Sequence, residues 1–175
     1  MVSAAAIALT AGIVSAGPAS ANLGNTSFIN GISGNMCLDA KNDATHSPST
    51  NGDPVQLWSC NGGTQQHWNF NENVGSYGTV TNAASGKCLD ATNDASHNPG
   101  TNGDPVQLWT CNGGAQQQWK LVLQANIPNT YALINLYSYA QALDATSDAT
   151  HNPGTDGDPA QLWSWTGTEN QLWRF

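Results

Sequence analysis

The sequence predicts an all-β protein of three pseudo-symmetric, four-stranded repeats, about twelve short strands in all. Three observations predict it. First, one ordered set of motifs recurs at a period of roughly 50 residues. Leu-Asp-Ala stands at Leu38, Leu89 and Leu143, Gly-Asp-Pro at Gly52, Gly103 and Gly157, Gln-Leu-Trp at Gln56, Gln107 and Gln161, and Gln-x-Trp at Gln66, Gln117 and Gln171. Second, Val55 and Leu57 fall on one face of their segment and Gln56 and Trp58 on the other, the period of a half-buried strand. Third, no segment shows a helical stripe. A unit of about 50 residues buries too little surface to stand alone, so the copies are expected to share one core.

In chain order, residues 1–21 are small and apolar and end in Ala19-Ser20-Ala21, the form signal peptidase accepts. This reads as a secretion signal cut before Asn22. It lacks the basic residues that normally precede the apolar run, as a truncated signal would. It is also too rich in Ala, Gly and Ser for a spanning helix, so no membrane insertion is expected. The mature chain, residues 22–175, reads as one domain with repeats at about 25–73, 74–124 and 125–175.

In the first repeat, residues 22–26 are a polar lead and 27–30 the first strand, and 31–35 turn the chain. Residues 37–40 form the second strand. The Asn, Asp, Ser, Thr, Pro and Gly run up to Pro54 cannot hold a helix and reads as a long loop. Residues 55–60 are the third strand, Asn61-Gly62-Gly63 the turn, and 67–70 the fourth strand. The later copies begin at 77–81 and 131–136 and end at 118–123 and 172–175.

Cys37 and Cys60 occupy the same two places in the first repeat as Cys88 and Cys111 in the second. Four cysteines allow three connectivities. The repeat selects Cys37 with Cys60 and Cys88 with Cys111, each bond contributing about 3 kcal/mol in the chain-entropy model. Ala142 and Trp165 hold these places in the third copy. A four-thiolate metal site needs converging cysteines, and these lie in separate repeats, so no metal or cofactor is expected.

Four Lys and Arg against twelve Asp and Glu give a formal charge of -8. Nucleic acid is excluded as a partner by the missing basic footprint. The carboxylates are positional, recurring as Asp39/Asp90/Asp144, Asp43/Asp94/Asp148 and Asp53/Asp104/Asp158. Trp68, Trp119 and Trp173 read as core pillars. Strand parity instead turns Trp58, Trp109 and Trp163 away from the core, where an indole offers a flat apolar platform with a polar handle.

Leu-Asp-Ala, Gln-Leu-Trp and Gln-x-Trp in ordered triplicate, the second motif extended to Val-Gln-Leu-Trp-x-Cys in the first two copies, resemble the ricin B-type lectin family. The match covers essentially residues 25–175. The resemblance implies a β-trefoil with one shallow sugar pocket per lobe and disulfides kept within lobes. It puts the pocket carboxylate at Asp39, Asp90 and Asp144, accepting hydrogen bonds from adjacent sugar hydroxyls. It puts the stacking ring at Trp58, Trp109 and Trp163. Gln56, Gln107 and Gln161 line the pockets from the same strand face, with Asn61 and Asn112 beside them. The polar pair before the final Trp is typically Asn-Gln, kept as Asn170-Gln171; Gln65-Gln66 and Gln116-Gln117 replace it in the other lobes. The third lobe therefore fits the pattern best.

The long loops carry Asp43/His46, Asp94/His97 and Asp148/His151. Their first reading is local: the Asp caps a turn and the His closes it; sugar contact and cation binding are the weaker alternatives. Catalysis is disfavoured, because a glycosidase centre is single and asymmetric whereas a binding surface gains from repetition. The expectation is a secreted, monomeric carbohydrate-binding protein, not an enzyme, for mono-, oligo- or polysaccharides of the galactose or xylose type. A protein-binding trefoil, such as a protease inhibitor or toxin-binding subunit, is the alternative, as is a stand-alone fragment of a glycoside hydrolase.

Overall fold

The computed structural model describes residues 23–32, 34–72 and 76–175; the expected signal segment lies outside them. Among the described residues, thirteen strands are distributed over three lobes. The first lobe holds β1 (Leu23–Ser27), β2 (Ile29–Asn30), β3 (Met36–Ala40), β4 (Asp53–Ser59) and β5 (His67–Phe70). The second holds β6 (Tyr77–Asn82), β7 (Cys88–Ala91), β8 (Val106–Trp109) and β9 (Gln118–Leu123), and the third β10 (Thr130–Asn135), β11 (Gln141–Ala145), β12 (Ala160–Ser164) and β13 (Trp173–Arg174).

The outer strands of each lobe close a ring. β1 pairs β5, β5 pairs β6, β6 pairs β9, β9 pairs β10, β10 pairs β13 and β13 pairs β2, all antiparallel. The remaining strands form the hairpins β3/β4, β7/β8 and β11/β12. This ring of paired strands with three hairpins is a β-trefoil, as the family resemblance implied.

Two details differ from the sequence expectation. The lead before residue 27 is not a loop: Leu23 and Thr26 register against Phe70 and Trp68. One first strand becomes β1 and β2, interrupted at Phe28, whose ring is fully buried in the core. A ring needs that edge paired, which local sequence cannot report. Each lobe also inserts a single 3-10 turn, at Thr64–Gln66, Ala115–Gln117 and Glu169–Gln171, too short to leave a periodic signature.

Trp68, Trp119 and Trp173 are fully buried among Leu38, Leu89, Leu143 and their neighbours. Each indole N–H donates to a strand carbonyl, of Leu38, Leu89 and Leu143 respectively, at 2.9 to 3.1 Å, which satisfies the one polar atom the ring takes into the core. The disulfides Cys37–Cys60 and Cys88–Cys111 tie the hairpins of the first two lobes. Where these lobes turn with Gly34 and Gly86 at positive φ, the third uses Tyr139 at φ 49°, a conformation costly for a residue with a Cβ.

The long loops close the trefoil in cyclic order. Gly52, Gly103 and Gly157 donate to the carbonyls of Leu108, Leu162 and Leu57 in the next lobe. Asn51, Asn102 and Asp156 accept there from the backbone N–H and hydroxyl of Thr110, Ser164 and Ser59. The repeated Gly-Asp-Pro is thus an inter-lobe joint.

Candidate functional site

Cross-strand register builds each site. Asp39 lies directly opposite Gln56, Asp90 opposite Gln107 and Asp144 opposite Gln161, and directly opposed residues share a sheet face. The glutamine Nε2 donates to the aspartate Oδ1 at 3.1, 3.0 and 2.9 Å in lobes one to three. Two residues on, the same face carries Trp58, Trp109 and Trp163, left 38%, 38% and 40% exposed.

These side chains line three cavities. The first, of about 190 Å³, holds Asp39, Gln56, Trp58, Asn61 and Gln65, with Lys41, Asn42 and Asp43 at its edge. The second lobe's, about 230 Å³, holds Asp90, Gln107, Trp109, Asn112 and Gln116 beside Asn93 and Asp94. The third, about 310 Å³, holds Asp144, Gln161, Trp163 and Asn170 beside Thr146, Ser147, Asp148, Thr166 and Thr168. It is the roomiest, having Asn170 where the others have a longer Gln and Thr166 where they have Asn.

Gln66, Gln117 and Gln171 do not line the cavities. They are fully buried, and each clamps the turn after its third strand. Their Oε1 atoms accept from the backbone N–H of Asn61, Asn112 and Thr166, all at 2.8 Å. Their Nε2 atoms donate to the carbonyls of Ser59, Thr110 and Ser164. Gln117 also reaches Asp90 Oδ2 at 2.9 Å. The Gln of Gln-x-Trp is therefore a structural clamp, and its neighbour, Gln65, Gln116 or Asn170, faces the cavity. Asn170 Nδ2 donates to Asp144 Oδ2 at 2.6 Å.

The inner aspartates are more covered than strand parity suggests, at 3%, 3% and 1% exposure. Burial raises the pKa of all three, and the amides of Gln56, Gln107 and Gln161 oppose the rise. Asp144 is carried up to about 6. Asp144 is thus a structural node as well as a cavity residue.

The loop residues Asp43, Asp94 and Asp148 cap their turns, each Oδ1 accepting two backbone N–H groups and facing a His Nδ1 at 2.9 to 3.0 Å. Those bonds hold the three carboxyls below their ordinary range, the backbone N–H groups of Thr45, Ser96 and Thr150 contributing most. The capping reading holds, yet the same aspartates edge the cavities. Their threefold recurrence four residues after the pocket aspartate was the signal available in the sequence.

In each lobe an exposed indole, a covered carboxylate and neighbouring amides thus share one open cavity. The chain belongs to the ricin-type β-trefoil lectin domain-like family, whose model matches residues 18–104 and 64–158. No curated protein sequence matches the chain. Among solved structures it is similar to ThreeFoil, a designed three-fold symmetric protein, at 29% identity over 85% of this chain and 94% of that one, with a TM-score of 0.71. It is similar to an exo-β-1,3-galactanase from Clostridium thermocellum at 25% identity and TM-score 0.69, over 86% of this chain but 29% of the galactanase, so it spans less than a third of that enzyme. A Macrolepiota procera ricin B-like lectin in complex with lactose shares the fold at 17% identity and TM-score 0.64, over 87% of this chain and 95% of that one.

Proposed function

We propose that this protein is a secreted carbohydrate-binding module holding one sugar in each of up to three pockets. The carrying observation is the threefold recurrence of one set: a nearly buried Asp, its cross-strand Gln, and an exposed Trp beside them in a cavity. The sugar's apolar face lies on Trp58, Trp109 or Trp163, and two adjacent hydroxyls donate to Asp39, Asp90 or Asp144. Gln56, Gln107 and Gln161 fix the carboxylate by occupying Oδ1. Asn61, Gln65, Asn112, Gln116 and Asn170 offer further amides, and Gln66, Gln117 and Gln171 support the turns that present them. Galactose- or xylose-type mono-, oligo- and polysaccharides suit sites of this size.

A binding role is favoured over catalysis because three near-equivalent sites add through effective concentration. The likeness to one part of a galactanase supports a targeting module for a carbohydrate-active enzyme as the setting. Two disulfides and the segment ending at Ala21 support export. Among the described residues no helix is long and apolar enough to cross a membrane. The expected solution state is a monomer.

A glycan array followed by competition with free galactose, xylose and arabinose tests the proposal. Binding to at least one glycan class, displaced by its monosaccharide, is the expected result; an array without signal would sink it.

A further inference from the structure

The three pockets differ in charge. Each is lined by two aspartates: Asp39 with Asp43, Asp90 with Asp94, and Asp144 with Asp148. The inner carboxylate is covered and the outer one half exposed. The outer Oδ1 is committed to its loop, as described above, which leaves Oδ2. In the first lobe Lys41 Nζ stands 3.5 Å from Asp43 Oδ2. In the second, Asp94 Oδ2 takes no hydrogen bond among the described residues, and in the third Asp148 Oδ2 meets His151 Nδ1 at 3.1 Å.

Lys41 is the one Lys or Arg lining any of these pockets among the described residues. Thr92 and Thr146 hold its place. Thr146 lines the third pocket at 5% exposure, and its hydroxyl takes no protein hydrogen bond. His46, His97 and His151 close the loops on the outer carboxylates and line none of the three cavities. The second and third pockets thus present two carboxylates without a lining cation, in a chain of net charge -8.

We infer that the second and third pockets select sugars carrying a protonated amine, and that Lys41 removes this preference from the first pocket. The inference rests on the sugar-binding reading above. A sugar seated on the Trp with its hydroxyls on the inner aspartate places a ring substituent toward the loop. An ammonium there meets the unpaired Oδ2 of Asp94, or the solvent-exposed side of Asp148 beside its His151 contact, whereas a carboxylate there is repelled. In the first pocket Lys41 already offsets Asp43, so an amine gains nothing over a hydroxyl. The outer group is solvent-exposed, which holds the gain to about two- to fivefold in affinity.

The test is an NMR titration of the full chain near pH 7, where most of a sugar amine is protonated. The indole N–H signals of Trp58, Trp109 and Trp163 report the three pockets separately. The probes are galactose, galactosamine and galacturonic acid, and glucose, glucosamine and glucuronic acid. At Trp109 and Trp163 the amino sugar is expected to bind about two- to fivefold more tightly than its neutral parent, and at Trp58 equally. The uronic acid should be weakest at Trp109 and Trp163, and about 1 M salt should bring the ratios toward one. Lys41→Thr should give Trp58 the amine preference. Asp94→Asn and Asp148→Asn, which keep the oxygen the loop needs, should bring the amine-to-neutral ratio to about one at their own reporters. Equal affinity for amine and parent at Trp109 and Trp163, or a preference that survives both Asn variants, overturns the inference while leaving sugar binding intact. If none of the six sugars moves any indole signal, this inference falls, and the glycan array decides the sugar-binding reading separately.

Discussion

Asp144 joins two roles in one side chain: its oxygens hold Gln161 and Asn170 in place, and it is the proposed acceptor for sugar hydroxyls. In a background already carrying Asp39→Ala and Asp90→Ala, Asp144→Ala should cost the third pocket roughly 1.5 to 3 kcal/mol of binding, the loss of a charged acceptor. Titration calorimetry against the glycan identified on the array measures it; unchanged affinity would refute the pocket assignment. The amides of Gln161 and Asn170 lose their acceptor as well, so a fall of about 1 to 3 kcal/mol in stability should accompany the loss. The raised pKa adds a pH dependence with opposite signs for folding and binding. A carboxyl moved from 3.8 to about 6 on folding binds more protons folded than unfolded between those values. Its contribution to stability is therefore full below pH 3.8 and is lost as pH rises through 6, at most about 3 kcal/mol. Hydroxyl binding needs the ionised form, so sugar affinity in the third pocket should fall as pH drops below about 6 while thermal stability of the unliganded protein rises. Asp43, Asp94 and Asp148, lowered on folding, oppose that gain only below the ordinary Asp value. A carboxyl carbon signal of Asp144 titrating near pH 4 would contradict this account.

At the scale of elements, the hairpins β3/β4 and β7/β8 are tied by disulfides and β11/β12 is not. Ala142 and Trp165 occupy the vacated places, and the roomiest cavity lies in that untied lobe. Non-reducing peptide mapping should find only the bonds Cys37–Cys60 and Cys88–Cys111. Reduction should lower the melting temperature, each bond contributing about 3 kcal/mol, with circular dichroism showing unchanged sheet content below the new transition. A lower cost for one bond than the other would rank the hairpins, and no change in melting would contradict their role as staples.

At the scale of the molecule, the pockets belong to three hairpins on one closed ring of paired strands, so a polymer long enough to reach two of them is expected to engage both. Single-pocket affinity in the millimolar range corresponds to about -4 kcal/mol. Affinity for a polysaccharide should exceed that for its monosaccharide by far more than one pocket supplies, through effective concentration. Equal affinities with one-to-one calorimetric stoichiometry would leave a single working pocket. The sequence by itself determined the triplication, the strand class and the disulfide partners, because each is written locally and repeated: parity places Trp58 and Gln56 on one face, and two equal cysteine spacings select one pairing. Three things were decided only by tertiary structure. Leu23–Ser27 became a strand because the ring needs an edge partner. Gln66, Gln117 and Gln171 became buried clamps while their neighbours took the cavity, since the 3-10 turn that rotates them apart has no periodic signal. The Gly-Asp-Pro loops became joints between lobes, because a hydrogen bond such as Gly157 N–H to the carbonyl of Leu57 joins residues far apart in the chain, and only closure of the ring brings them together.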